Sequence, residues 1–120
     1  MARPNIVVTF QAPPEMKTLL QNLPGGAGDL IFLAELPSEQ RKETLEHANI
    51  LLSWNFPREI SPQEYPYLQH VRFIQLVSAG ADHMPFAQLP AQTTIASNPG
   101  AYAMPMAEHV MAMTLALARA

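Results

Sequence analysis

Residues 72–83 read Arg72-Phe73-Ile74-Gln75-Leu76-Val77-Ser78-Ala79-Gly80-Ala81-Asp82-His83, and they give the clearest indication of the fold class. Its first half is a short, almost continuously apolar run, which is typical of a β-strand covered on both faces of a sheet. Its second half begins with a turn of three small residues. A buried strand that ends in such a turn predicts a parallel sheet with helices on both sides.

Four further apolar runs of this kind alternate with helical stretches. We predict strands over residues 5–10, 29–34, 49–54 and 93–97, in addition to residues 72–77. Helices are predicted over residues 15–22 and directly after Pro37, with Ser38 as the N-cap of the second. Residues 56–67 contain three prolines and are predicted to form a turn and a short helix. Together these elements predict an α/β, flavodoxin-like, doubly wound parallel sheet of five strands.

The composition argues against several classes of function. The 120 residues carry a net charge of -3, whereas a protein that binds nucleic-acid phosphates needs clustered Lys and Arg. The chain has no cysteine, so it has no disulfide and no thiolate metal site. Its most apolar stretch, residues 103–118, is shorter than the roughly 20 residues that span a bilayer. Because no signal region precedes the first strand, we expect a cytoplasmic protein that binds neither nucleic acid nor a membrane.

The last predicted helix is apolar nearly all round. Two stripes of apolar or small side chains run along it: Met106, Val110, Met113 and Leu117 in one, and Ala107, Met111, Thr114 and Ala118 in the other. Packing on its own sheet would bury only one stripe, so the other needs a second domain or another subunit. We therefore expect a homodimer.

The order of these pieces resembles a known enzyme family. After the turn of residues 78–80 come Ser97-Asn98-Pro99-Gly100 and then Ala107-Glu108-His109 within the long helix. In this order and spacing the chain resembles the substrate-binding lobe of the D-isomer-specific 2-hydroxyacid dehydrogenases, of the glyoxylate/hydroxypyruvate reductase or phosphoglycerate dehydrogenase kind. The resemblance implies a parent enzyme that transfers hydride between NAD or NADP and a small 2-keto or 2-hydroxy acid.

The resemblance also implies a division of the parent protein. Residues 1–101 would form the substrate-binding lobe, and residues 102–120 would begin the helix that crosses to an NAD-binding lobe. That lobe, with the glycine fingerprint and the catalytic Arg, Glu and His, is expected outside these 120 residues. The chain alone is then expected to be inactive and to hold no cofactor site.

Five residues are candidates for substrate binding: Ser78, Ala79, Gly80, Trp54 and Tyr102. Amides of the 78–80 turn at the carboxyl edge of the sheet can receive a carboxylate, and the resemblance implies that role; the alternative is an ordinary turn that uses glycine for its φ freedom. Trp54 either lies over the substrate, as the resemblance implies, or packs in the core. Tyr102 stands where relatives often have Asn, Ser or Thr, and we expect it at the rim of the cleft.

Neighbouring acid and histidine pairs are given structural roles. Asp82 is predicted to cap a short helix over residues 83–87, which makes Asp82 and His83 an unsuitable catalytic pair. Glu108 and His109 point about 100° apart on a helix, so they do not form a relay, and Glu108 is expected to pack or hydrogen-bond at the lobe junction. No three ligands have metal-site spacing, and no metal is expected.

Residues 25–28 read Gly-Gly-Ala-Gly but follow a helix and precede a strand. This is the reverse of the order in a dinucleotide fingerprint, so a flexible turn is predicted. Two other classes of protein stay open: a dinucleotide-sensing, peptide-binding corepressor-like member of the same family, and a flavodoxin-like interaction module without an enzyme.

Overall fold

A computed structural model describes residues 3–22 and 28–119 and contains one parallel sheet of five strands in the order β2-β1-β3-β4-β5. The strands are β1 (Asn5–Val8), β2 (Asp29–Phe32), β3 (Ile50–Ser53), β4 (Phe73–Leu76) and β5 (Thr94–Ala96). The α-helices are α1 (Pro14–Asn22), α2 (Ser38–Glu46), α3 (Phe56–Glu59) and α4 (Ala103–Ala118), with 3-10 turns at Leu33–Glu35, Pro62–Leu68 and Phe86–Gln88. The strand order is that of flavodoxin-like folds, and the predicted fold class is confirmed.

The apolar character of the strands follows from burial on both faces of the sheet. Val7 and Val8 are adjacent in β1 and both fully buried, yet they belong to different core clusters. Successive side chains of a strand point to opposite faces, so each cluster covers one side of the sheet. The larger cluster includes Leu51 and Ile74 of the neighbouring strands, and the smaller one includes Phe10 and Phe32.

Two local predictions are wrong. Ser38 is the first residue of α2 and not its cap; Pro37 precedes the helix in an extended conformation and supplies no side-chain hydrogen bond. The predicted helix over residues 83–87 is absent: the chain makes a turn closed by the Met84 amide on the Ala81 carbonyl. Pro85 explains this second difference, because proline lacks an amide donor and disfavours helical backbone in the residue before it.

The predicted turn and short helix over residues 56–67 are confirmed by α3 and the 3-10 turn at Pro62–Leu68. Most of the predicted Gly-Gly-Ala-Gly turn lies outside the described residues. Its last member, Gly28, is buried, and a Cβ there would come 2.8 Å from the Pro4 carbonyl oxygen, so glycine is required by the close approach of the two segments.

Helix α4 does not lie on the sheet. Every described residue of α4 is exposed, up to 77% for Leu117, so the expectation that one stripe packs on its own sheet is wrong. The loop after β5 turns at Gly100, whose φ of +80° is in the left-handed region that favours glycine, and α4 begins three residues later. The described part of the chain contains no helix long and apolar enough to cross a membrane.

Candidate functional site

A cleft of about 380 Å³ opens at the carboxyl ends of β3 and β4. Its lining residues are Trp54, Asn55, Ser78, Gly80 and His83. Three of the five predicted site residues, Trp54, Ser78 and Gly80, thus come together from two strands. Ala79 is exposed within the same turn but is not part of the lining.

The backbone amides of the 78–80 turn are the chemical feature of this cleft. The Val77 amide still donates to the Ser53 carbonyl at 2.8 Å, which continues the pairing of β4 with β3. Beyond it, the amides of residues 78, 79 and 80 have no acceptor anywhere in residues 3–22 and 28–119. The Ser78 hydroxyl donates to the Gly80 carbonyl at 3.1 Å, across the turn. Three neighbouring N–H groups therefore stand at the carboxyl edge of the sheet, where ligands of such folds bind.

Gly80 is not required by its backbone conformation. In the described residues a positive φ occurs only at Gly100, so the interpretation of Gly80 as a source of φ freedom is wrong. A Cβ at position 80 would meet only the Asp82 carboxylate oxygen, at 3.1 Å. Glycine leaves the amides of the turn without a neighbouring side chain, and a Cβ at position 80 would require the Asp82 carboxylate to move slightly.

Trp54 lies at the wall of the cleft and is not a core residue. Its side chain is 43% exposed, which excludes the core-packing alternative, and its ring meets the ring of Phe10 edge-on at 5.7 Å. Phe10 follows β1 and is buried in the smaller core cluster. The aromatic contact therefore connects the cleft to the core below it.

Sequence reasoning overlooked Glu59, the last residue of α3. Its carboxylate accepts hydrogen bonds from the Thr9 hydroxyl at 2.6 Å, the Ser53 hydroxyl at 2.7 Å and the Trp54 and Asn55 amides at 3.1 and 2.6 Å. Thr9 and Ser53 are buried at the ends of two apolar strands. A buried hydroxyl group needs a hydrogen-bond partner. A Thr and a Ser at the ends of apolar strands therefore indicated that an acceptor from another part of the chain would lie beside them.

His83 is the imidazole of the cleft. Its Nε2 is buried and has no hydrogen-bond partner among the described residues, while Asp82 beside it is exposed. Neither Lys nor Arg is part of the cleft lining. The cleft consequently offers N–H donors and an imidazole ring to a ligand, without a cationic side chain.

Tyr102 stands away from this group. It is the residue that precedes α4, its carbonyl accepts the Met106 amide at 2.9 Å, and its side chain is exposed but does not line the cleft. In the described ranges no three His, Asp or Glu side chains stand close enough to hold a metal ion.

Comparison with known proteins adds a similar fold. No protein-family model matches the chain, and no curated protein matches its sequence. A solved D-isomer specific 2-hydroxyacid dehydrogenase family protein from Aeromonas salmonicida subsp. salmonicida A449 is similar in structure, with a TM-score of 0.72 and 17% sequence identity. The match covers 97% of this chain and 36% of that protein, so the chain spans about a third of its length. At this identity the likeness concerns the fold.

Proposed function

We propose that this chain is the substrate-binding lobe of an NAD(P)-dependent D-2-hydroxyacid dehydrogenase. In this proposal the amides of residues 78–80 hold the carboxylate of a small 2-keto or 2-hydroxy acid. The observation that carries the proposal is the set of three neighbouring amides without an acceptor, at the edge of a cleft of about 380 Å³. The similar fold of the Aeromonas family protein supports the same assignment.

The 78–80 turn, Trp54 and His83 each have a part in this proposal. The amides orient the acid by its carboxylate, the ring of Trp54 covers one side, and the imidazole of His83 closes another. The nicotinamide cofactor, bound by a lobe outside this chain, supplies the hydride. Because no cationic side chain lines the cleft, we expect this lobe alone to bind the acid with a dissociation constant of about 1 mM or weaker.

The test is an NMR titration of the ¹⁵N-labelled chain with glycolate, using glycolamide as the uncharged matched control. Glycolate is expected to shift the amide resonances of residues 78–80 saturably, and glycolamide to leave them in place. Glycolate shifts centred on other residues, or identical responses to both compounds, would overturn the carboxylate assignment.

The cofactor part of the proposal has its own experiment. NADH fluorescence is expected to be unchanged when the chain is added, because no correctly ordered glycine loop is present in the sequence. Micromolar binding would contradict the placement of the cofactor site in another lobe.

A second candidate function is a flavodoxin-like interaction module, which the exposed apolar surface of α4 favours. The gene sequence beyond Ala120 distinguishes the two. An open frame that continues into a strand, a Gly-x-Gly-x-x-Gly turn and a helix supports the dehydrogenase, whereas a stop codon directly after Ala120 supports the interaction module.

A further inference from the structure

We infer that Glu59 is a positioning residue of the cleft: its carboxylate fixes the loop after β3 and, through that loop, the orientation of Trp54. This role deepens the proposed function, and its predicted effect on glycolate binding rests on that proposal. The position of the Trp54 ring is a property of the unliganded chain and can be measured by itself.

The Glu59 carboxylate accepts four hydrogen bonds. One carboxylate oxygen of Glu59 accepts from the Thr9 hydroxyl, the Ser53 hydroxyl and the Trp54 amide, and the other accepts from the Asn55 amide. The Thr9 hydroxyl also lies 3.2 Å from the Leu52 carbonyl, but its single proton is best directed at Glu59, at 2.6 Å. A carboxylate accepts on both oxygens and donates on neither, so it suits four converging donors.

The donors to the Glu59 carboxylate lie beside the cleft wall. Trp54 and Asn55 follow β3 directly, and both line the cleft. Thr9 follows β1 and is adjacent to Phe10, which contacts the ring of Trp54. Glu59 therefore binds the backbone amide of Trp54 and the side chain of the residue next to Phe10, so a change at Glu59 affects both members of the aromatic pair.

The backbone of Glu59 is itself fixed by a contact with α2. Its carbonyl accepts a hydrogen bond from Arg41 of α2, and Arg41 also pairs with Glu64 at 2.5 Å. Helix α3 has only four residues, too few to be stable by its own backbone bonds. Its position is set by these contacts with α2 and with the strand ends, together with Phe56, which is fully buried in the larger core cluster.

The experiment compares Glu59→Gln with Glu64→Gln in the 120-residue chain. Glutamine keeps the shape of the side chain but turns an NH₂ group toward at least one of the four donors. Glu64→Gln alters a neighbouring ion pair of the same Arg41, and Glu64 does not line the cleft. Trp54 is the chain's single tryptophan, so its emission and acrylamide quenching report directly on the cleft wall.

For Glu59→Gln we expect a red-shifted emission, stronger quenching and glycolate binding weakened about tenfold, the equivalent of one lost hydrogen bond. For Glu64→Gln we expect a lower melting temperature and a clearly smaller change in Trp54 emission, because Arg41 can still donate to the Glu59 carbonyl. Unchanged emission and quenching in a folded Glu59→Gln chain would overturn the inference. An equal emission change in Glu64→Gln would also overturn it, because the effect would then be general loosening.

If Glu59→Gln does not fold, Ser53→Ala takes its place, since it removes one of the four donors and leaves the carboxylate. A smaller emission change in the same direction is expected, and none would overturn the inference. Failure of the wild-type chain to bind glycolate would contradict the proposed function alone, because the fluorescence comparison needs no ligand.

Discussion

The ring of Trp54 stands edge-on to the ring of Phe10, with centroids 5.7 Å apart and planes at 84°. Phe10 is buried under the sheet edge and Trp54 is nearly half exposed, so the pair joins the smaller core cluster to the cleft. An aromatic contact of this geometry contributes about 0.5–1.5 kcal/mol beyond the area it buries. The cleft wall is therefore supported from below by a core residue.

Replacing Trp54 separates its contribution to binding from its contribution to stability. Trp54→Ala is expected to lower the free energy of unfolding by about 1 kcal/mol, from loss of the contact with Phe10, and to weaken glycolate binding. Trp54→Phe keeps an aromatic ring against Phe10 and should retain most of the stability and most of the glycolate affinity. Urea unfolding and the glycolate titration are the measurements. Glycolate binding by Trp54→Ala equal to that of the wild type would show that the indole does not contact the ligand.

Gly80→Ala is expected to impair binding and not folding. Gly80 has no positive φ, and the added Cβ meets only an exposed carboxylate oxygen of Asp82, so the change in unfolding free energy should stay within about 0.5 kcal/mol. The methyl group would crowd the amides, and we expect glycolate affinity to fall about tenfold.

Gly100→Ala is the matched control for the glycine substitution. Its φ of +80° makes any side chain strained, although a Cβ there would meet no atom within 4 Å. We expect a stability loss of about 1 kcal/mol with glycolate affinity retained. If Gly80→Ala lowered the stability and Gly100→Ala lowered the glycolate affinity, the 78–80 turn would have a structural role and not a binding role.

Glu64 gives a pH dependence of stability. Burial by itself would raise the pKa of Glu64, but hydrogen bonds from Arg41 and from the Ser61 backbone and hydroxyl, with the charge of Arg41, hold the pKa below its ordinary value of 4.5. A lowered pKa in the folded state stabilises the fold above pH 4.5, and this stabilisation is lost as the pH falls through the folded-state pKa.

We therefore expect Glu64→Gln to be less stable than the wild type at pH 7 and to approach it as the pH falls below 4.5. Ser61 and Glu64 also form a capping box at the 3-10 turn, but glutamine at position 64 can keep it, so the difference should be mainly ionic and should fade at low pH. Thermal unfolding across this pH range is the measurement. A difference that does not depend on pH would contradict the ionic contribution.

The exposed surface of α4 predicts association. Its large exposed apolar side chains are Met104, Met106, Val110, Met111, Met113, Leu115 and Leu117. A groove of about 400 Å³ between Met106, His109 and Met113 adds a concave surface on one side. Burying such side chains against a second copy contributes about 1.5–3 kcal/mol each before the cost of association.

Light scattering is thus expected to give the molar mass of a homodimer for the wild-type chain. For Met113→Glu the measured mass should shift toward that of a monomer. Ala91→Glu, at an exposed position on the loop before β5, is the charge-matched control and should leave the association state unchanged. A wild-type monomer at high concentration, unaffected by Met113→Glu, would contradict the homodimer.

The fold class and the edge of the sheet at which a site forms can both be inferred from local sequence. Strands buried on both faces must be apolar without interruption, so the run at residues 72–77 already indicates a parallel sheet between layers of helix. The position of the 78–80 turn after that run then places its amides at the carboxyl edge. Both conclusions depend on residues that are close in the chain.

The contacts that support the site join residues far apart in the sequence. Glu59 meets Thr9 across 50 residues of sequence, and no local pattern records which carboxylate will reach two buried hydroxyl groups. The departure of α4 from the sheet and the ordinary φ of Gly80 were likewise beyond local patterns. The periodicity of apolar residues indicates which faces of a helix can be buried. The path of the chain determines which element covers those faces. For α4 the described residues contain no element that does so.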